Sequence, residues 1–520
     1  MGHGLILSID CGTQSIRALL FDDKGNLIAK EKREFEPYYS NYPGWAEQNT
    51  KVYWESCCDV CQKVKQKNPD EWDRIMGVTV TTQRDTCVVV DRDGNPLRPA
   101  IIWLDQRMAA CSEPLPVLNN IAFSAVGMQR TVNMTRKKSK ANWIRENEPD
   151  IWNKTYKFLL LSGFFTMKLT GKFIDSAASQ IGHIPFDHKN RNWPKSKKDY
   201  RWSVFGIEKD KLPDLVEPGV TIAYITEEAS NLTGIKQGLP LIASGSDKGC
   251  ETLGVGCVDR HTASLSFGTT ATIQVASDFY FEPIRFMPSY IAALPGFYNP
   301  EIEIFRGYWM ISWFKQEFAV REMIEAERTG VSPEELLNAR LKEIPPGSQG
   351  LILTPYWGPG LKMPEAKGSI IGFGDVHTRA HIYRAIIEGI NYALLEGMED
   401  IEKRSGNKIK VKKLMASGGG SQSDTICQIT SDMFNLPVYK GQTHETSGLG
   451  AAINGFIGMG VYKTYKEAAD NMVHYSKKFT PNKECVGVYK HLYSRVYKKV
   501  YPKLKCLYKE IQCVTNYPEL

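Results

Sequence analysis

No stretch of the chain approaches the roughly eighteen consecutive apolar residues that a membrane-spanning helix requires, so no span is expected. The opening residues, MGHGLILSIDCG, have no basic leader, and Asp10 breaks their apolar run, so no secretory leader is expected either. Charge of one sign is also in short supply. Lys and Arg exceed Asp and Glu by only seven over 520 residues, which argues against a nucleic-acid partner but suits a protein that handles anionic phosphates. The twelve cysteines are scattered, which suits a reducing cytoplasm and not a disulfide framework. Their one cluster, Cys57, Cys58 and Cys61 in VYWESCCDVCQKV, lies at helical spacing without the second ligand pair that zinc needs, so these read as helix core. Neither a Walker loop nor a dinucleotide fingerprint occurs, so the ordinary mononucleotide folds are not indicated.

What is present is enough apolar material, 42% of residues, for the cores of two domains of ordinary size. The first 35 residues read as three strands joined by turns, with DDKGN as the second turn. A helix is expected from about Val52 to Lys65, then strands at MGVTVTT and CVVV. A second block begins near residue 239 with LPLIASGSD, a strand ending at Asp247, followed by a short helix and a hairpin, TASLSFGTTATIQVAS. LSIDCGTQSIRALLF and LSFGTTATIQVAS both run Leu-Ser, Gly-Thr, apolar strand, a faint internal echo that suggests two related lobes. The second half adds a long amphipathic helix with Ile382, Ile386, Ile390, Ala393 and Leu394 on one face. A strand opening into Gly418, Gly419 and Gly420 follows, and then a glycine-rich helix. The tail, with Tyr and Leu spaced between lysines, reads as a helix packing one face on the body. The class is α/β with sheets of mixed direction.

The hairpin turn after Asp10 has the composition of a phosphate cradle. A triphosphate needs inward backbone N–H groups, little Cβ bulk and a metal bridging its oxygens. Gly12 and Thr13 supply close approach and a hydroxyl, Gln14 and Ser15 add hydrogen-bonding groups, and Arg17 can neutralise charge. Asp10, at the strand end, is placed to hold Mg²⁺ directly or through water. The plain alternative is a hairpin whose Asp caps its own turn. Gly268, Thr269 and Thr270 repeat the chemistry in the second lobe, and Gly419 and Gly420 leave room for a nucleotide beside a helix N-terminus.

Taken in order, these pieces resemble the FGGY carbohydrate kinases, on their xylulokinase and glycerol kinase side. The resemblance rests on DCGTQSIRALLFD, PGWAEQ, TTQRDT, IIWLDQR, ASGSDKGCETLGVG, SFGTT, HTRAHIYRAIIEGINY and SGGGSQSD, and covers nearly the whole chain. It implies two actin-like, ribonuclease-H-type lobes around a central cleft for ATP and sugar, divided as residues 1–254, which bind sugar, and 255–520, which bind nucleotide. It makes Asp247 the catalytic base and a substrate contact, since an alcohol attacks phosphorus poorly until a carboxylate takes its proton. A helix N-cap is the plain alternative for that Asp. The segment TTQRDT, with Gln83, Arg84 and Asp85, would grip the acceptor. The Arg84–Asp85 pair would donate to and accept from neighbouring hydroxyls. Trp103 would form an apolar wall and Asp105 accept from another hydroxyl.

Two stretches depart from the family pattern. NMTRKKSKANWI carries Arg136, Lys137 and Lys138, read as a basic helix start or as a wall for an acidic or bulkier substrate. LSGFFTMKLTG has Ser162 and Gly163 where relatives often carry Asp, so substrate contacts do not transfer there. The expected activity is phosphoryl transfer from ATP, with Mg²⁺, to a hydroxyl of a ketose or polyol, xylulose being the first acceptor to test and glycerol or another small polyol the alternative. An actin-like ATP-binding protein without sugar kinase activity is the rival from another class, and it has no need of Asp247 with Arg84 and Asp85. The partners expected are the small-molecule acceptor and ATP, with no membrane. A homodimer is compatible with a sequence that does not set the oligomeric state.

Overall fold

A computed structural model describes residues 4–358, 363 and 365–517. The chain divides into two compact units. The first runs to Gly254 and also takes in Tyr290–Tyr298 and Glu445–Val473; the second holds Val255–Ser289, Asn299–His444 and the chain from His474 onward.

In the first unit, six strands form one sheet: β1 (Leu5–Cys11), β2 (Ser15–Phe21), β3 (Leu27–Glu34), β4 (Ile75–Thr82), β5 (Thr221–Tyr224) and β6 (Pro240–Ile242). Their order is β5-β6-β4-β1-β2-β3. β1 pairs parallel with β4 and β4 with β6, while β1-β2, β2-β3 and β5-β6 are antiparallel. LILSIDC is buried at every position, as a strand covered on both faces must be. β3, LIAKEKRE, is the edge, and its charged side chains blunt it against further pairing. The turn before β3 is closed by Asp22, whose Oδ1 accepts from the N–H groups of Lys24 and Asn26 at 2.9 and 2.8 Å. The Thr50–Lys67 helix packs Tyr53, Cys57, Val60, Cys61 and Val64 into the core, so Cys57 and Cys61 are core residues.

The second unit repeats the plan with β7 (Thr262–Phe267), β8 (Ala271–Val275), β9 (Glu301–Ile304), β10 (Lys413–Ser417), β11 (Val438–Gly441) and β12 (Tyr475–Phe479). Its order, β9-β8-β7-β10-β11-β12, has the same directions: an antiparallel meander, a parallel centre and an antiparallel edge. The echo between the two hairpins therefore extends to whole sheets, each hairpin being the central strand and its antiparallel neighbour. The long helix, Arg379–Arg404, buries Ile386, Ile390, Ala393 and Leu394, with Ile382 half-buried against the same core. The tail forms the helices Lys483–Leu492 and Lys498–Thr515 around a π-helical turn, Tyr493–Tyr497. It docks through buried Tyr489, Tyr493, Tyr497, Val500 and Tyr508, and Tyr392 stacks on Tyr493 with ring centroids 5.8 Å apart.

The basic trio departs from its expected place. Arg136, Lys137 and Lys138 occupy the last turn of the Gln129–Lys138 helix, not a helix start. Cations suit that end of the helix dipole, and Ser139 then caps the next helix, Lys140–Asn147. Among the described residues no helix is long and apolar enough to cross a membrane.

Candidate active site

Asp247 is the first residue of the Asp247–Gly254 helix. The capping role falls to its neighbour: Ser246 Oγ accepts from the Gly249 N–H at 3.3 Å, and Ser246 O accepts from the Cys250 N–H at 2.8 Å. Asp247 Oδ1 accepts from the Lys248 N–H at 2.7 Å. Burial raises the Asp247 carboxyl above the ordinary range, against the pull of Arg84 and Lys248. A carboxylate so placed is a better proton acceptor than one in water. The helix behind it is fixed by backbone contact with the Thr446–Gly458 helix. A Cβ on Gly254 would lie 1.9 Å from Thr446 O, and one on Gly450 would lie 1.9 Å from Cys250 O.

The first turn and the TTQRDT segment meet in one hydrogen-bonded chain. The Trp103 Nε1–H donates to Thr13 Oγ1 at 3.0 Å, the Thr13 hydroxyl donates to Gln83 Oε1 at 2.9 Å, and Gln83 Nε2 donates to Tyr53 OH at 3.3 Å. The Gln83 N–H is held by Cys11 O at 2.9 Å, because β4 runs beside β1. Trp103 is 41% exposed, so it is a surface residue and not core. Gln14 is exposed at the turn and Ser15 is buried where β2 begins. The Gly12 N–H closes the turn onto Ser15 O at 3.0 Å, and a Cβ at Gly12 would meet nothing nearer than 3.7 Å, so protein packing alone does not require glycine there.

Asp10 faces Arg17 across the β1–β2 pair, and Arg17 Nη1 donates to Asp10 Oδ2 at 3.0 Å. Arg17 also lies 3.3 Å from Glu445 Oε2, and Lys30 pairs with the same carboxylate. Arg17 is thus held by two acids, a commitment that the sequence did not reveal because Glu445 is far along the chain. Burial carries the Asp10 carboxyl up to about 6 in spite of Arg17, with Asp247 and Glu445 adding to the rise. The contribution from Asp247 places Asp10 within the field of that carboxyl.

The expectation for Asp105 needs correction, and two further readings gain detail. Arg84 and Asp85, expected to read neighbouring hydroxyls together, are held by different groups. Arg84 Nε donates to Ser246 Oγ at 3.2 Å and its guanidinium lies 5.0 Å from the Tyr290 ring centre, whereas Asp85 is bound by Lys140 and His183. The chain bends between the strands here, and Asp85 takes a left-handed backbone conformation, φ 51°, so the two side chains leave the bend toward different partners. Asp105 is not open to a sugar hydroxyl: the Arg107 side chain grips both its oxygens at 2.8 Å, and the Arg107 and Ala46 N–H groups add bonds at 3.0 and 2.6 Å. Ser162 and Gly163 close around a buried acid from another strand, since the Ser162 hydroxyl donates to Asp175 Oδ2 at 2.6 Å.

In the second unit, Gly268 O and Thr269 O accept from the Tyr308 and Trp309 N–H groups at 3.0 and 3.2 Å, tying the turn to the start of the Trp309–Phe318 helix. Thr269 is exposed, and the Thr270 hydroxyl donates to Phe305 O at 3.3 Å. The three glycines separate by cause. Gly418 has φ +77° and its Cβ would strike the Phe267 backbone; Gly420 lies under Tyr308, whose ring would be 2.3 Å from a Cβ; Gly419 faces open space. Two of the three therefore serve packing, and Gly419 alone leaves an unfilled approach.

Residues 5–254 match the FGGY family of carbohydrate kinases, N-terminal domain, and residues 263–459 match its C-terminal domain. The uncharacterized sugar kinase YgcE of Escherichia coli is 29% identical over 482 residues, 92% of this chain and 90% of that protein. A xylulose kinase of Lactococcus lactis is 27% identical over 511 residues, 95% of this chain and 96% of that one. The crystal structure of xylulose kinase from Rhodospirillum rubrum shares the fold, with TM-score 0.81 at 24% identity over 97% of this chain and 100% of that chain. Family members are phosphotransferases that take phosphate from ATP to an alcohol group of a sugar. With both domains matched in order along its length, this chain belongs to the FGGY family of carbohydrate kinases.

Proposed function

We propose that this kinase phosphorylates a ketose, with xylulose the first acceptor to test, and that Asp247 takes the proton of the attacking hydroxyl. The observation that carries the reading is the Asp247 carboxylate, raised by burial, at the start of a helix locked in place by backbone contact, with Arg84 beside it and Asp10 in its field. Curated relatives that are xylulose kinases support the choice of acceptor. Trp103 and Arg84 form one wall and one donor for the acceptor, and Gln83 acts by holding Thr13. The residues proposed to hold ATP are Gly12, Thr13 and Gln14 in the first unit and Gly268, Thr269 and Gly419 in the second. Ser15, Thr270 and Gly420 support these turns from within.

Mg²⁺ fits this donor set. Among the described residues no group of three or more metal-ligating side chains is assembled. Mg²⁺ on a nucleotide ordinarily needs only one or two carboxylates beside phosphate and water. Asp10, a buried acid raised to about 6, is the carboxylate that a nearby cation would relieve. The ion, when bound, supplies charge neutralisation on the phosphate oxygens. Arg17 keeps the Asp10 carboxylate oriented, and Asp247 holds the transferred proton at its carboxylate oxygen.

The test is an ADP-release screen over pentuloses, hexuloses, polyols and sugar acids. Wild-type protein is expected to turn over with a ketulose, and Asp247→Asn to lose about 10²- to 10⁴-fold in kcat with the KM for ATP little changed. Turnover that survives the substitution would remove Asp247 from the mechanism.

A further inference from the structure

Asp85 and His183 form an oriented acid–imidazole pair that the phosphoryl-transfer reading leaves without a role. Asp85 has φ 51°, a left-handed conformation that few non-glycine residues adopt, and its N–H donates to Ile181 O at 3.0 Å. Gly182 passes so close that a Cβ there would lie 2.4 Å from Asp85 Oδ1. The His183 N–H donates to Oδ1 at 2.9 Å, Lys140 Nζ donates to Oδ2 at 2.6 Å, and His183 Nδ1 lies 2.8 Å from Oδ2. Three groups, the His183 N–H, Lys140 Nζ and His183 Nδ1, thus converge on one carboxylate.

The geometry sets the imidazole tautomer. Burial raises the Asp85 carboxyl, but Lys140 and His183 together hold it well below the usual carboxylate range, so it is ionised and accepts only. Nδ1 must then carry the hydrogen, which leaves Nε2 as the ring's remaining hydrogen-bonding atom. Exposure increases outward along the same line: the Lys140 side chain is 6% exposed, Asp85 18% and His183 32%. Nε2 has no hydrogen-bond partner among the described residues. The stretch is also tied to the proposed base. Ala178 O accepts from the Ser246 N–H at 3.2 Å, and Arg84, next to Asp85, donates to Ser246 Oγ, one residue before Asp247.

We propose that His183 reads a hydroxyl of the acceptor through Nε2, and that Asp85, backed by Lys140, is a positioning residue that acts on the acceptor only through this ring. The inference rests on the kinase reading and deepens it: the acceptor carries a hydroxyl beyond the one phosphorylated, as a ketose or polyol does and a simple alcohol does not. Sites that hydrogen-bond a hydroxyl discriminate strongly against analogues lacking it.

The experiment uses the acceptor found in the ADP-release screen together with its series of single-deoxy analogues. His183→Ala is expected to raise the acceptor KM about 10-fold, to leave the KM for ATP within about twofold, and to abolish the preference over one deoxy analogue. His183→Gln, whose amide reaches the Nε2 position, is expected to keep that preference, and His183→Asn, which does not reach it, to lose it. This pair decides the matter should the alanine variant fail to fold. Asp85→Asn should repeat the loss, and Asp85→Asn combined with His183→Ala should be no worse than the weaker single variant. An active enzyme whose deoxy preference survives in His183→Asn overturns the inference alone, as do losses at Asp85 and His183 that multiply. A wild-type protein with no acceptor-dependent ADP release brings down the kinase reading, and the inference with it.

Discussion

Asp175 shows how a single buried side chain ties stability to pH. Its Oδ2 accepts from Ser162 Oγ and Gln180 Nε2 at 2.6 and 2.7 Å, and its Oδ1 accepts from the Ser176 N–H at 2.7 Å. Burial nevertheless carries the carboxyl up to about 6, the hydrogen bonds recovering only part of the shift. The folded state therefore holds this proton more tightly than the unfolded chain, where an Asp titrates near about 3.9. Its contribution to stability is complete below about pH 4 and is lost as pH rises through about 6, a change of about 2–3 kcal/mol. Asp175→Asn should remove that loss, so its melting temperature should decline less than that of wild type between about pH 5 and pH 7.5. Parallel declines would mean that Asp175 is already ionised in the folded protein at the lower pH. Arg84 and Asp85 carry a second residue-scale lesson. They are adjacent in sequence, yet Arg84 belongs to Ser246 while Asp85 belongs to Lys140 and His183, which are 55 and 98 residues away.

At the scale of elements, the helix that begins with Asp247 depends on a second helix from far along the chain. Gly254 and Gly450 allow Asp247–Gly254 and Thr446–Gly458 to meet backbone to backbone. A methyl group at Gly450 has no space within 1.9 Å of a carbonyl oxygen, so the helices must part or the side chain must strain. Gly450→Ala is expected to cost about 3 kcal/mol or more and to lower the melting temperature by several degrees. Because Asp247 rides on the displaced helix, kcat should fall with it. An alanine variant with wild-type melting and turnover would show that the contact is looser than this geometry. The hairpins and the amphipathic helices were legible in the sequence, because their signals are local: alternation, a turn residue, a repeat of three or four. The order of strands and the pairing of these two helices were not, because small residues at a contact carry no sign of what they touch.

At the scale of the whole molecule, two units with the same sheet plan unfold as separate cooperative bodies or as one, and ligands distinguish the cases. Calorimetry with and without Mg-ADP is expected to show an upward shift of the nucleotide-holding transition, worth about 2.7 kcal/mol at a free concentration 100 times Kd. No shift at millimolar nucleotide would contradict the proposed nucleotide residues in both units. The mild net charge of +7 leaves association with an anionic nucleotide weakly favoured and salt-sensitive.

By itself the sequence determined the α/β class, the family, the two glycine–hydroxyl turns and the acid at residue 247, because each of these is written in a short run of neighbouring residues. Only the tertiary structure decided which groups those residues face. It gave Asp105 to Arg107, Arg17 to Asp10 and Glu445, Gly420 to Tyr308, and Asp85 to His183. The reason is physical: a charge or a donor is satisfied by whatever the fold brings within about 3 Å of it, and in this fold those groups come from strands and helices that the chain reaches only after tens or hundreds of residues.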